Sequence, residues 1–402
     1  MRVLLYVLNY YPEIVGVGKY SKELTDFLSI NGHQIRVVTS NPYYPEWKIN
    51  QNKYKTEKID NTLVLRSPIY VPKKPNAIKR ILHLLSFSIS SIPNLIRQII
   101  WRPERIIVFL PTIFITPNVI FFRHLYGKKC KIHLHIQDLE IDAAKNLGII
   151  KFKKFDNLLK SLEVLIYKNF DKISTISEDM RSQLRKKISN RDIQLIRNWI
   201  DLSKFKEICN LSKKELISKF KLNIEPNKII LMYSGSLNKK QDISILIDAI
   251  KNCSGMSNIH WILSIEGQSK IDIVKSVGGF KNVLITNLQP SKLLNYWLAV
   301  ADIHLLPQKS SVSNSVMPSK LIGILASGRP VIATANKSTE LGRIVKKVGF
   351  SVKPNNLEDF IGAIKKLCFD KNLRESLGQK ASNLASEIYD KDKILYKFLD
   401  DL

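Results

Sequence analysis

The chain has 402 residues, 45% apolar and 24% charged, an ordinary globular composition and more than the roughly 100–200 residues of a single core, so two domains are expected. Lysine and arginine number 63 against 35 aspartate and glutamate, and the resulting +28 favours polyanions such as nucleic acid, anionic lipid or phosphorylated substrates, unless the lysines only solvate the surface. Four cysteines without a C-x-x-C pair speak against a disulfide framework or a zinc site and fit a reducing cytoplasm.

The apolar run Val3–Leu8 is too short for a signal peptide and reads as a first strand. It leads into Tyr10–Lys19, where Gly16 and Gly18 open a helix. Glycines let backbone N–H groups approach an oxyanion and the helix terminus adds positive charge, although a plain turn has the same pattern. Tyr20, Leu24, Phe27 and Leu28 share one face of that helix, Asn31-Gly32 stops it, and Ile35–Thr39 follows as a strand, completing a βαβ unit. The next loop, Tyr43-Tyr44-Pro45-Glu46-Trp47, is either an exposed stacking platform or a rigid plug against the sheet.

Ile78 to Trp101 carries an apolar stripe between basic flanks, interrupted at Pro93 and Asn94 and short of the ~20 residues that span a bilayer. It predicts an interfacial helix or a helix packed on the sheet. Further strands are expected at Ile106–Leu110, Lys131–Ile136, Lys172–Ile176 and Ile193–Ile196. At the end of Lys131–Ile136, His135 shares a strand face with Gln137 beside Asp138, which makes His135 a candidate for substrate contact or a structural histidine.

After a linker at Asn198–Phe205 the pattern restarts, with strands at Ile229–Tyr233, Trp261–Ile265, Val283–Thr286, Ile303–Leu306 and Val331–Thr334. Two such halves imply a ligand cleft at the carboxyl ends of their strands. Tyr233–Gln241 is a Gly235-Ser236 loop with Lys239 and Lys240 where a phosphate would sit, or a solvated basic turn. Ser313–Lys320 enters a helix with Pro318 in its first turn and Gly328 at its C-cap, and Glu340 opens another helix. The one D-x-D string, Asp390-Lys391-Asp392, lies in the tail and reads as surface charge.

Gly16-Val17-Gly18, Asn198-x-x-Asp201, Gly235 to Gln241, and Pro318-Ser319-Lys320 with Ala326-Ser327-Gly328-Arg329-Pro330 together resemble retaining glycosyltransferase family 4 over essentially the whole chain. Asn9–Glu13, Pro42–Trp47, Leu134–Asp138 and Val316–Leu321 are similar to the WcaI-like colanic acid and O-antigen biosynthesis branch. The resemblance implies an α/β, GT-B fold of two facing Rossmann-like domains with parallel sheets. Residues 1–198 would bind acceptor, 199–385 the nucleotide sugar, and a helix in 386–402 would pack back towards the N-terminal domain.

It also implies a substrate, a GDP- or UDP-linked sugar of fucose or N-acetylated amino type, and no metal or other cofactor. The acceptor would be an undecaprenyl-diphosphate-linked saccharide, the location peripheral at the cytoplasmic face of the inner membrane on an anionic surface, and no nucleic acid would be bound. Catalytic candidates are His135, Asp138, Lys240 and Glu340. Donor candidates are Gly16, Gly18, Gly235, Ser236, Lys239, Lys240, Gly267, Pro318, Ser319 and Lys320, and acceptor candidates are Tyr43, Tyr44 and Trp47. Departures are Ser315 and Gly323 where many members carry glutamates, Ser236 for a common arginine, and Gln137 for the histidine of a His-Asp pair. Rival readings are a sugar-nucleotide 2-epimerase of the same architecture and a polyanion-binding non-enzyme, which predicts steeply salt-dependent affinity.

Overall fold

The computed structural model describes residues 1–13, 16–73, 76–110, 112–127, 129–139, 153–237, 241–267, 270–309 and 317–402. They form two compact units, Met1–Asn198 with Ile394–Leu402, and Trp199–Lys393.

In the N-terminal unit the described strands are β1 (Arg2–Val7), β2 (Gln34–Ser40), β3 (Lys55–Ile59), β4 (Thr62–Ser67), β5 (Arg105–Leu110), β6 (Lys131–Ile136), β7 (Lys172–Thr175) and β8 (Ile193–Leu195). They lie in the order β3-β4-β2-β1-β5-β6-β7-β8. Leu5 of β1 faces Val37 on one side and Ile107 on the other, both in parallel register. Val3 to Val7 are all buried, as expected of a parallel strand covered on both faces. The antiparallel hairpin β3–β4 was not anticipated. β3 is a polar edge strand, Lys-Thr-Glu-Lys-Ile, joined to β4 by a two-residue loop with Asp60 at φ +51°. The helix Val17–Ile30 buries Tyr20, Leu24 and Leu28, and Phe27 meets Tyr396 edge-on with ring centres 5.0 Å apart.

The segment after β4 folds as three short helices, Ala77–Ser90, Ile92–Ile96 and Gln98–Trp101. Polar residues on them pack on the sheet. Ser91 Oγ meets Tyr6 Oη at 2.5 Å, and Asn94 Nδ2 donates to Ser67 Oγ at 2.9 Å. Arg36 donates to Gln98 Oε1 at 3.1 Å. Phe87 and Leu95 of the same helices lie in the core with Leu84, Ile92, Ile99 and Trp101 packed against it, so part of the apolar stripe packs on the sheet while Ile81, Leu82 and Ile89 stay exposed. No helix among the described residues is long and apolar enough to cross a membrane.

The C-terminal unit contains β9 (Ile229–Ser236), β10 (Ile259–Glu266), β11 (Val283–Thr286), β12 (Ile303–Leu306), β13 (Val331–Thr334) and β14 (Gly349–Val352), parallel in the order β11-β10-β9-β12-β13-β14. Alternation along β9 feeds two cores: Ile230 and Met232 pack with Trp297, Leu231 and Tyr233 with Trp261. β14 was missed because it opens on Gly349, where a Cβ would stand 1.9 Å from the Val331 carbonyl oxygen.

The last strands are followed by the helices Leu357–Phe369, Lys371–Ile388 and Lys391–Asp400. Ile200 N–H donates to the Tyr389 carbonyl and its own carbonyl accepts from Lys391, so the entering and departing chain lie side by side in the C-terminal unit. Residues 394–402 belong to the N-terminal unit. There Phe398 is fully buried, stacked on His133 with ring centres 5.1 Å apart and tilted against Phe109 at 6.4 Å. Phe398→Ala should therefore destabilise the N-terminal unit by about 3–5 kcal/mol. In urea, its transition moves to lower concentration while that of the C-terminal unit stays in place.

Candidate active site

β9 and β10 end side by side, Ile265 opposite Gly235 and Glu266 opposite Ser236. Leu237 N–H donates to the Glu266 carbonyl at 2.8 Å, and Gly267, at φ +117°, turns so close that a Cβ would stand 2.6 Å from the Leu237 carbonyl oxygen. Gly267 is thus demanded by the approach of the two loops, a reason independent of any bound anion. Gly235, at φ +145°, is where the Lys320 side chain crosses the strand, since a Cβ there would lie 2.0 Å from Nζ and 2.1 Å from Cε. The Lys320 ammonium donates to Tyr233 Oη at 2.9 Å and the Ser236 carbonyl at 3.5 Å, and lies 4.6 Å from the centre of the Tyr233 ring. Burial, with no carboxylate opposing it among the described residues, drops its pKa from 10.5 to about 8. Sequence reasoning quoted Tyr233 without seeing that it seats this lysine.

Pro318 and Ser319 precede the helix Lys320–Ala326, which is seven residues long and has no side-chain cap. Lys320, the first residue of this helix, turns its side chain to Tyr233 and Ser236. The C-cap is Ser327, and Gly328, expected there, follows one position later at φ +66°. Lys239, Lys240 and Ser315 lie outside the described residues. On either side of the two lysines the chain is fixed, at Leu237 by Glu266 and at Gln241 by a bridge to Gln308. Gln308 was not singled out by the sequence. It is buried, its N–H donates to Thr334 Oγ1 at 2.6 Å, and its Oε1 has no hydrogen-bond partner among the described residues. Glu340 is buried in the first turn of the helix Glu340–Val348, where a carboxylate favours the helix dipole, and Thr339 caps that helix through Gly342 N–H at 3.1 Å.

In the N-terminal unit a buried carboxylate joins two motifs. Glu13 Oε1 accepts from Tyr43 N–H and Tyr44 N–H, each at 2.7 Å, and Oε2 from Asn9 Nδ2 at 2.9 Å. Burial raises the Glu13 pKa, and these three hydrogen bonds oppose it. A Cβ on Gly18 would stand 2.1 Å from the Glu13 carbonyl oxygen, so the folding of its own loop requires glycine at this position. Gly16, at φ +57° with nothing within 4 Å of an added Cβ, is the open glycine, at the N-cap of Val17–Ile30, which has no side-chain cap. Tyr43 is buried, packed against Trp47 and His83 with ring centres at 5.6 and 4.7 Å. It is therefore a plug and not a stacking surface, while Tyr44 is 40% exposed and Trp47 half-buried.

His135 is fully buried. Its Nδ1 and His133 Nε2 both lie 2.8 Å from Ser174 Oγ, and its Nε2 is 3.0 Å from Gln137 Nε2. An amide N–H only donates, so His135 Nε2 accepts, Nδ1–H donates to Ser174, and Ser174 donates to His133. Both imidazoles are neutral, pushed down to about 3, each mainly by burial. Gln137 in turn exchanges two hydrogen bonds with Asn198, at 2.9 and 3.0 Å. His135 is a positioning residue for the Gln137–Asn198 amide pair, and half-buried Asp138 follows it.

Comparison with known proteins shows the family. The family described as Glycosyltransferase Family 4 matches residues 14–204, and that described as Glycosyl transferases group 1 matches residues 214–384. The chain is 33% identical, over the whole length of both, to the putative colanic acid biosynthesis glycosyl transferase WcaI of Escherichia coli K12. It is 23% identical to the probable glycosyltransferase WbjE of Pseudomonas aeruginosa over 52% of this chain and 53% of that one. Its fold is similar to sucrose-phosphate synthase of Thermosynechococcus elongatus, with TM-score 0.77, 14% identity and 100% and 98% of the two chains covered. It is also similar to Anabaena HepE in complex with UDP, with TM-score 0.67, 12% identity and 100% and 99% covered.

A lysine titrating near 8 makes anion affinity pH-dependent. A diphosphate favours the ammonium, so raising pH through this lowered pKa removes the binding form. Calorimetric affinity for a nucleoside diphosphate is predicted to be flat below about pH 7 and to fall up to about tenfold per unit above 8. Lys320→Met should lose both the affinity and its pH dependence, and Gly235→Ala, which displaces the ammonium, should weaken binding likewise.

Proposed function

The chain is a glycosyltransferase and belongs to family 4, and from that premise we propose that it transfers a sugar with retention from a nucleoside diphosphate to a lipid-linked saccharide. The observation that carries this reading is Lys320, a largely buried ammonium held over Gly235 with only neutral partners among the described residues. A donor diphosphate supplies the missing anion, and the charge that builds on it as it leaves is what such a group stabilises. Lys239 and Lys240 add charge from the loop after β9, Ser236 and Ser319 contribute exposed hydroxyls, and Glu340 contacts donor hydroxyls. No metal enters the reaction as drawn.

In the transfer, the bond from the anomeric carbon to the diphosphate oxygen breaks and its electron pair leaves with that oxygen. The acceptor hydroxyl bonds to the same face of the carbon, and its proton passes to a donor phosphate oxygen. The open backbone at Gly16 leaves room for a phosphate oxygen, Tyr44 and Trp47 offer rings to the acceptor saccharide, and Asp138 orients its hydroxyl. Fucose on GDP and an N-acetylated amino sugar on UDP are the donor candidates. The likeness to WcaI supports a colanic-acid type of surface polysaccharide as the product. An undecaprenyl-diphosphate acceptor would place the reaction at the cytoplasmic face of the inner membrane.

A thermal-shift panel of GDP, UDP, dTDP and ADP with their sugars tests the donor half. Only a ligand of the native state stabilises it, by about 2.7 kcal/mol at a hundredfold excess over Kd, so one base should raise Tm by several degrees. Lys320→Ala and Lys240→Ala should lose that rise. Silence from every nucleotide on folded protein would overturn the assignment, and free epimer formed without acceptor would move it to an epimerase.

A further inference from the structure

The carboxyl ends of β13 and β14 and the helix Leu357–Phe369 enclose a groove of about 890 Å³ that contains none of the donor or acceptor residues named above. β14 is the third strand beyond β9, so at ~4.8 Å per strand the groove lies roughly 14 Å along the sheet from Gly235. The edge strand lines it with the half-buried ring of Phe350. The helix lines it with Asp359, Gly362, Ala363 and Lys366, the spacing of one helical face, while Phe360, Ile364 and Leu367 are buried in the core. The middle of the lining face is therefore bare, between a carboxylate and an ammonium.

Gly362 has no steric reason to be glycine, since nothing lies within 4 Å of an added Cβ. At Gly18, Gly267, Gly342 and Gly349 a Cβ would collide with backbone. Gly362 instead stands exposed in a helix interior, where glycine is poorer than any residue except proline. What its missing side chain achieves is an open groove beside an aromatic ring.

We propose that this groove is a second saccharide-binding site, taking a pyranose whose apolar face stacks on Phe350 and whose hydroxyls meet the polar rim. Composition selects the ligand. Lys337, Lys353 and Lys366 are set against Glu358 and Asp359, so the groove is close to neutral and offers both donors and acceptors. Asn336, Ser338 and Asn356 add amides and a hydroxyl. A phosphate would meet the carboxylates, whereas a sugar hydroxyl both donates and accepts. Lys366 Nζ, 5.7 Å from the centre of the Phe350 ring, is placed to donate to a sugar seated there. The inference goes beyond the transfer proposed above and uses none of its residues, so either can fail without the other.

Saturation-transfer NMR on the full-length protein, without nucleotide, tests it with the methyl glycosides of glucose, galactose, fucose and glucuronic acid as probes. At least one should receive saturation at its ring protons. Gly362→Leu, which fills the groove, should abolish that signal with the melting temperature unchanged or raised, because leucine is the better helix former. Lys320→Met, in the other site, should bind the probe as wild type does. Folded protein that saturates no probe, or a signal that survives Gly362→Leu or disappears in Lys320→Met, overturns the proposal. So does displacement of the probe by an equal concentration of inorganic phosphate, because the groove is then an anion site.

Discussion

A parallel sheet ends in backbone groups that no neighbouring strand pairs, and both units build their working edges from the way those groups and the loops beyond them are held. In the N-terminal unit the Glu13 carboxylate takes the Tyr43 and Tyr44 N–H groups, and the buried Arg66 guanidinium takes the Tyr11 carbonyl at 2.6 Å and the Ser40 carbonyl at 3.2 Å while pairing with Glu57. One anion and one cation thus tie the loops after β1 and β2 together. In the C-terminal unit Thr334 closes on Gln308, and Lys320 closes on Tyr233 and Ser236. The first arrangement is electrically complete. Among the described residues the second leaves the Lys320 ammonium without a carboxylate partner.

Much of this fold was legible because buried parallel strands are continuous apolar runs: Lys131–Ile136, Val283–Thr286, Ile303–Leu306 and Val331–Thr334 fall where those runs are. β3 and β14 were not, one being polar along an edge and the other glycine-led, and neither leaves an apolar signature. The site was legible as residue types and opaque as partners. Gly18, Gly235 and Gly267 are needed where they stand, yet what fills the missing side chain is Glu13, Lys320 and Leu237 respectively, groups distant in sequence. His135 could be recognised as special but not as sealed, because its neighbours Ser174 and Phe398 come from other parts of the chain.

The stripe from Ile78 to Ile100 carries the same lesson for surfaces. Periodicity identifies an apolar face but not which way it points. Here the inward face is shared, Phe87 and Leu95 entering the core beside polar residues that hydrogen-bond to Tyr6, Ser67 and Arg36.

The return of residues 394–402 to the N-terminal unit has a consequence for synthesis. The unit that begins the chain remains open over His133 and Phe109 until Phe398 is made, after the whole of 199–393. At about 5–20 residues per second that interval is roughly 10–40 s. The sheet of the C-terminal unit, complete at Val352, thus precedes the last packing contact of the N-terminal unit.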